Sequence, residues 1–361
     1  MQNTKVCFFN SCKVWGGGEK WHFETAQLLQ KDQISVIVAS NQQSELYQKA
    51  IKSAIPVHQF SISNLSFLNP FAILKICNFF KKEQISTVIL NLPADLKVAG
   101  IAAKLVGVSN VIYRRGSAIK IKNSFLNRFL FKNVITSVIA NSNETKKTIL
   151  ANNSKLISSE KIHVIYNSFN LLDYEKMPLD LLYKREKNEL IIGNAGRMVA
   201  QKNQYDLLKM AAQLKEKKIQ FKLLIAGDGK LMPELLNYAD ELKISEHIVF
   251  LGFVENIRSF MESIDIFVLT SKWEGFGYVL AEAMASQKPV VAFNISSNPE
   301  IVANNETGYL IDSFDINAMA AKVELLINNQ LLCSEMGKKG YERVKQEFSI
   351  DVALKALKGL I

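Results

Sequence analysis

"IDIFVLTSKWEGFGYVLAEAMASQKPVVAFN" (264–294) holds one complete folding unit. Its first eight residues hold the apolar run Ile266–Leu269, and a turn broken by Gly275 and Gly277 follows. A helical segment comes next, and "PVVAFN" (289–294) is a second apolar run. Both runs are continuously apolar instead of alternating, as strands covered on both faces are, so the stretch predicts strand, crossover helix and parallel strand. It also sets two acids, Glu274 and Glu282, eight positions apart around the turn. Glu274 is expected at the strand end, and Glu282 about two turns into the helix.

The same rhythm runs outward in both directions. Upstream in the second half lie "LIIGNAGR" (190–197), "FKLLIAGDG" (221–229) and "HIVFLGF" (247–253). The first half offers "KVCFFNS" (5–11), "SVIVAS" (35–40), "TVILNL" (87–92), "NVIYRR" (110–115), "SVIANS" (137–142) and "IHVIYNS" (162–168). Helix-period segments separate them, the sign of βα units building parallel sheets. Polar, Lys-rich "YEKMPLDLLYKREKNE" (174–189) interrupts the pattern. The fold class is therefore α/β, with two Rossmann-like β/α/β domains facing a central cleft. The domains are expected at 1–175 and 190–347, joined by a linker at 176–189, with a C-terminal helix at about 348–361 packing back on the first. Open parallel sheets bind ligands beyond the carboxyl ends of their strands, which makes the cleft the expected site.

With 361 residues, 48% hydrophobic and 22% charged, the chain has the composition of a folded protein of about two domains. Its formal charge of +10 is unevenly spread: residues 1–180 carry 22 Lys and Arg against 11 Asp and Glu, the remainder 22 against 23. Such an excess suits nucleic acid, an anionic membrane or a phosphorylated substrate, and no nucleic-acid motif supports the first. Cys7, Cys12, Cys77 and Cys333 fall in no metal-binding spacing. "MQNTKVCFFN" lacks the apolar core of a secretory signal, and no run of about 18 apolar residues occurs, so the expectation is a cytoplasmic protein without a membrane-spanning helix.

Several loops carry residues suited to phosphate chemistry. "SCKVWGGGEKWHFETAQLL" places three glycines between the first strand and a helix, where backbone N–H groups approach an oxyanion; a tight turn that only glycine tolerates is the equal alternative. In "NAGRMVAQKNQYDLL", Arg197 and Lys202 pair a fork-shaped guanidinium with a mobile ammonium, which suits a diphosphate, although two basic loop residues are commonly just solvated. Gly227 and Gly229 end a strand, either as ordinary turn residues or beside a base or ribose. His22, His58, His163 and His247 are scattered and assigned no catalytic role.

Taken together, "GGGEKWHFETAQLL", "GRMVAQKN", "LLIAGDG", "FLGFVEN" and "EGFGYVLAEAMASQKPVVA" resemble, in order and spacing, the retaining glycosyltransferase family 4 enzymes of GT-B fold, the last carrying their E-x7-E signature. The resemblance spans nearly the whole chain and implies transfer of a hexose from a nucleotide-diphosphate sugar, UDP- or GDP-linked, to a hydroxyl of a glycan or lipid-linked acceptor. It implies that Glu274 meets the transferring sugar, that Gly275, Phe276, Gly277, Tyr278 and Val279 offer backbone amides to sugar and phosphate, and that Glu282 holds the ribose. Arg197 and Lys202 would bind the diphosphate, Gly17 and Gly18 pass close to phosphate or acceptor, Gly227 lie on the base side, and Phe253 and Val254 border the base. No metal and no cofactor is expected. Two departures stand out. "VIYRRGSAIK" offers Arg114 and Arg115 where the family often has a histidine, suggesting an acceptor or anion contact or a pairing with a carboxylate. "NISSNPEI" lacks the usual glycine pair before Pro-Glu.

"AIKIKNSFLNRFLFK" (118–132) and "FLNPFAILKICNFFKK" (67–82) mix basic and large apolar residues, so they suit either an anionic bilayer surface or a sheet face with Lys and Arg stems covering the rest. The basic first half favours peripheral contact at the inner face of the membrane, and an acceptor of cell-surface polysaccharide or lipopolysaccharide type. Alternatives from other classes are a GT-B sugar-nucleotide epimerase, a two-lobed solute-binding protein, and a pyridoxal-dependent phosphorylase, for which no cofactor lysine is evident.

Overall fold

In the computed structural model the apolar runs of the first half form β1 (Lys5–Asn10), β2 (Ser35–Ser40), β4 (Thr87–Leu90), β5 (Asn110–Arg115), β6 (Ser137–Ala140) and β7 (Ile162–Val164), joined by a short β3 (Val57–Gln59). The structure describes residues 4–187 and 189–361; residues 1–3, at the start of the expected first domain, and Asn188, within the expected linker, lie outside the described residues. Every pairing is parallel and the order is β3-β2-β1-β4-β5-β6-β7.

Continuous apolarity has a direct cause. Side chains alternate across a strand, so in β1 Val6 and Phe8 face one side while Cys7 and Phe9 face the other. Val6 and Phe8 pack under Trp21, Ala26 and Leu29 of the helix Gly17–Lys31. On the opposite face, Cys7 and Phe9 meet Ile76, Phe79 and Phe80 of the helix Pro70–Lys82. The last helix, Ile350–Lys358, adds Leu357 to the Val6 side and pairs Lys358 Nζ with Asp32 Oδ2 at 2.6 Å. Met1–Asn167 and Asp351–Ile361 thus make one unit.

Ser168–Ile350 make the other. Its sheet contains β8 (Ile191–Ala195), β9 (Lys222–Ala226), β10 (Ile248–Gly252), β11 (Ile266–Leu269), β12 (Val290–Phe293) and β13 (Gly308–Ile311), all parallel, ordered β10-β9-β8-β11-β12-β13. Within residues 176–187 the Asp180 N–H donates to Ser259 Oγ at 2.8 Å, and Arg185 pairs with Asp265 at 2.9 Å, which ties this stretch to the second unit.

The sequence reading lacked β3 and β13. Each is the edge strand of its sheet and only three or four residues long, and an edge position needs no long apolar run. Strand order reverses between β1 and β4 in the first unit and between β8 and β11 in the second, and at such switch points the loops diverge and leave room for a ligand. Among the described residues no helix is long and apolar enough to cross a membrane.

Candidate active site

The loops that follow β8 and β11 leave the second switch point side by side. Lys272 N–H donates to the Gln201 carbonyl at 2.8 Å, Gln201 Nε2 to the Trp273 carbonyl at 2.9 Å, and Thr270 Oγ1 to the Lys202 carbonyl at 3.3 Å. This lacing brings two predicted residues together: Lys202 Nζ lies 2.6 Å from Glu274 Oε1. Side-chain exposures are 16% for the lysine and 7% for the glutamate, so the pair is largely withdrawn from water and each charge compensates the other. Ser297 Oγ donates to the Glu274 carbonyl at 3.4 Å, fixing the loop from a third side. Arg197 behaves differently. It is exposed and has no ion-pair partner among the described residues, leaving a free cation on the same loop as Lys202.

Two expectations about the opening stretch need correcting. Glu274 does not sit at the strand end: β11 stops at Leu269 and the glutamate stands five residues further on, in the loop. Glu282 lies just over one turn, not two, into the helix Tyr278–Ala285, which starts after the left-handed Gly277 (φ 78°) as expected; the acid is that helix's fifth residue. Glu282 is half-buried, and its carbonyl accepts a hydrogen bond from Tyr174 OH at 3.2 Å.

Within Gly275–Val279 the roles divide. Phe276 is 3% exposed, its ring set edge-on to Tyr278 and Phe348, so its side chain is structural and only its backbone is available. Gly275 and Gly277 have backbone N–H groups without a partner among the described residues, next to the helix N-terminus, an arrangement that attracts anions. Tyr278 and Val279 are half-buried in the first turn.

Gly227 packs backbone to backbone with the Arg197 loop. A Cβ there would lie 2.1 Å from the Gly196 carbonyl oxygen, and the φ of 133° is one that side chains disfavour. Phe253 and Val254 line a groove of about 670 Å³ with Met177, Pro178 and Leu251; Phe253 is 79% exposed and Val254 half-buried.

Sequence reasoning passed over three buried groups of this unit. Asn298 donates from Nδ2 to the Phe293 carbonyl at 3.0 Å, but its Oδ1 is buried without a partner on the side facing Gly277. Asn194 Oδ1 and Ser271 Oγ, at the ends of β8 and β11, are likewise buried and unpartnered. Such orphaned atoms are costly to bury, and these three lie at or beyond the carboxyl ends of β8, β11 and β12. In the sequence, Asn298 stands in "NISSNPEI", the stretch that lacks the usual glycine pair.

At the first switch point the predicted residues enter a closed polar network. Gly17 opens the helix, and Gly18 presses so near Asn91 that a Cβ would sit 2.5 Å from Nδ2. Asn91 and Asn10 both donate to Glu19 Oε1, at 3.5 and 2.9 Å. Arg114 is 2% exposed and donates to Asn91 Oδ1 at 3.1 Å and Asn167 Oδ1 at 2.9 Å, with its guanidinium 4.5 Å from the centre of the Trp21 ring. His22 beside it is fully buried; desolvation and the charge of Arg114 hold its imidazole neutral. Asp95, equally buried, accepts from Ser11 Oγ at 2.5 Å and Ser11 N–H at 3.1 Å, and burial pushes its carboxyl up to about 7. Arg115 is half-exposed and donates to the Ile119 carbonyl. Among the described residues no group of three or more His, Cys, Asp or Glu is arranged to hold a metal ion.

Comparison with known proteins bears on the family and the fold. The sequence model described as "Glycosyltransferase Family 4" matches residues 15–171, and that described as "Glycosyl transferases group 1" matches 183–343. The capsular polysaccharide biosynthesis glycosyltransferase CapM of Staphylococcus aureus is 29% identical over 92% of this chain and 91% of its own. A Campylobacter jejuni N-acetylgalactosamine-N,N'-diacetylbacillosaminyl-diphospho-undecaprenol 4-alpha-N-acetylgalactosaminyltransferase is 28% identical over 82% of both chains. The crystal structure of Anabaena Alr3699/HepE in complex with UDP superposes with a TM-score of 0.83 at 21% identity, covering 99% of each chain, and so shares the fold. With the two family models matched one after the other across the two parallel-sheet units, the chain belongs to the family 4-type glycosyltransferases of GT-B fold.

Proposed function

We propose that this glycosyltransferase moves a hexose or hexose derivative, with retention of anomeric configuration, from a UDP- or GDP-linked sugar to a hydroxyl of a glycan or lipid-linked acceptor in cell-surface polysaccharide or lipopolysaccharide synthesis. The observation that carries the reading is the Lys202–Glu274 pair, set between the exposed Arg197 and the free amides of Gly275 and Gly277. A diphosphate needs cation and N–H donors together; a sugar hydroxyl needs a fixed carboxylate acceptor. Both stand on adjacent loops of one switch point. CapM supports the capsular direction, the C. jejuni relative a diphospho-undecaprenol acceptor, and HepE a uridine nucleotide.

In this reading Arg197 and Lys202 take the diphosphate, and Glu274 is released from Lys202 toward the sugar. Glu282 holds the ribose, and Phe253 offers its exposed face to the base. The bond between the sugar's C1 and the phosphate oxygen breaks while C1 joins the acceptor oxygen on the same face. The acceptor's proton passes to the leaving diphosphate, whose charge Arg197 and Lys202 stabilise. No metal or cofactor takes part, and the enzyme works at the cytoplasmic face of the membrane. A sugar-nucleotide epimerase is distinguished by forming product from donor alone.

The test is a calorimetric and thermal-shift titration with UDP, GDP, ADP and CMP, each with and without EDTA, since a ligand that binds only the native state raises its apparent stability. Binding of one nucleoside diphosphate unaffected by EDTA is expected. Binding by none would overturn the phosphate assignment.

A further inference from the structure

Beyond the carboxyl ends of β2 and β3 the first unit holds a groove of about 350 Å³. One wall follows β2. Asn41 is buried there, its Oδ1 accepting from the Gln43 N–H at 2.9 Å and its carbonyl from Ser44 Oγ at 2.6 Å. This turn leaves the side chains of Gln42 and Gln43 exposed, and Gln48 Nε2 holds the Gln42 carbonyl at 3.0 Å. The other wall follows β3. Gln59 ends that strand, and beyond it the Ser63 N–H donates to Ser66 Oγ at 2.8 Å. The Phe60 N–H donates to the Ser40 carbonyl at 2.9 Å and ties the two walls together. Backbone groups thus build the frame, and the lining side chains are left to meet something else.

The chemistry of that lining is narrow. Gln42, Gln43, Gln59, Ser61 and Ser63 supply primary amides and hydroxyls, Ile62 is the one large apolar side chain, and no acid takes part. The single cation, Lys13, already donates to Gln43 Oε1 at 3.3 Å. The side chains of Gln42, Gln59 and Ser61 are exposed and have no hydrogen-bond partner among the described residues. In a chain that is 22% charged, with a surplus of cations in its first half, such an uncharged concave face is the exception. A primary amide offers two N–H donors and a carbonyl acceptor, and a hydroxyl both gives and accepts. Neighbouring hydroxyls of a sugar ring present the same mixture, so they are answered here without charge. A phosphate would ask for free cations, a hard metal ion for carboxylates, and an acyl chain for apolar walls. The volume, at the low end for ligand pockets, suits a sugar.

We propose that this groove is a subsite for an uncharged part of the acceptor glycan, holding a sugar other than the one that receives the transfer. Its place in the fold gives the role. Lys13 follows closely on the end of β1, in the loop that leads to Gly17 and Gly18, so the groove and the first switch point share one loop and one end of the sheet. Contacts at such a distance from the reacting bond select an acceptor by its neighbouring sugar and take no part in the chemistry. The proposal rests on the reading that the acceptor is a glycan, and its test separates the two.

The full chain is applied to an array of neutral and acidic oligosaccharides of capsular and lipopolysaccharide type, and those captured are titrated by nuclear magnetic resonance. Capture of a neutral oligosaccharide is expected, and it should persist at high salt because no charge carries it. The pair Gln42→Ala, Gln59→Ala should weaken that binding about tenfold, and Ser61→Ala about threefold. Melting temperature and nucleoside diphosphate binding should stay unchanged, since these side chains are exposed and stand on the first unit. A neutral oligosaccharide bound equally well by the glutamine pair variant would overturn the groove and leave the glycan acceptor standing. Capture of acidic oligosaccharides alone, lost at high salt, would also overturn it. Capture of none would strike the acceptor reading and the groove together. Loss of nucleoside diphosphate binding, with the groove variants still weakening the glycan, would instead strike the donor reading.

Discussion

Replacing Lys202 by Met tests whether the Lys202–Glu274 pair is held inside the second unit as the geometry has it. The methionine keeps most of the stem's packing and removes only the ammonium, leaving a carboxylate that is 7% exposed without its counter-charge. Breaking a buried pair from one side costs about 3–5 kcal/mol, and the 16% exposure of the lysine points to the lower end, about 3 kcal/mol. For a unit the size of Ser168–Ile350, each kcal/mol lowers the melting temperature by roughly 2–4 °C, so a fall of about 6–12 °C is expected by calorimetry. The second arm is the double variant Lys202→Met, Glu274→Gln, in which no charge is left uncompensated; it should regain most of the loss. A single variant that melts within about 2 °C of the unaltered chain, or a double variant no better than the single, would refute a buried, mutually compensating pair. Nucleoside diphosphate titrations on the folded variants then report separately on the lysine's role at phosphate.

Glu274→Gln keeps the shape of the loop but removes the charge offered to the sugar; kcat should fall about a hundredfold or more while nucleoside diphosphate affinity changes little, and an unaltered kcat would sink the assignment. In Gly227→Ala the added Cβ meets a backbone carbonyl at 2.1 Å with φ at 133°, so about 3 kcal/mol or more of stability should be lost in a urea titration. Asp95→Asn should change the pH dependence of stability. The folded carboxyl is raised from 3.8 to about 7 by burial, so the native state holds its proton more tightly than the unfolded chain. The contribution is therefore full below pH 3.8 and is lost as pH rises through 7, at most roughly 4 kcal/mol for a group so buried. Relative to the unaltered chain the variant should gain stability between pH 4 and 8 in urea midpoints, and a constant difference across that range would contradict the shift.

The repeating parallel architecture was legible because each inner strand is covered twice, which leaves an unbroken apolar run such as "KVCFFN" or "IFVL". Edge strands β3 and β13 escaped for the converse reason. Lys202 and Glu274 could be named from motifs, but their contact at 2.6 Å depends on two loops that sequence places 72 residues apart. The helix start after Gly277 was legible from the glycine-broken turn; Glu282 falls nearer to that start than expected because only Tyr278, Val279, Leu280 and Ala281 lie between it and Gly277. Asn194, Ser271 and Asn298 were invisible for another reason. A polar residue in a strand or loop looks solvated until the fold buries it, and only then does an unpartnered oxygen become a signal.

The uneven charge of the chain resolves the same way. The excess of cations in the first half suits an anionic partner, and Arg114 and Arg115, standing where the family often has a histidine, offer an anion or acceptor contact or a pairing with a carboxylate. The Arg114 guanidinium is instead built into the interior, donating to Asn91 and Asn167 over the face of Trp21. The second unit, nearly balanced in sequence, is the one that leaves a cation exposed at its switch point, Arg197. Net charge therefore does not by itself point to the donor site of the proposed reading, where Arg197 is exposed and Lys202 is paired with Glu274. The surplus of the first half belongs to exposed lysines such as Lys75, Lys104, Lys120 and Lys122, in a stretch whose acids, Asp95 and Glu83, are buried or already paired. In the proposed reading the cation offered to the donor and the surplus surface cations therefore lie on different units.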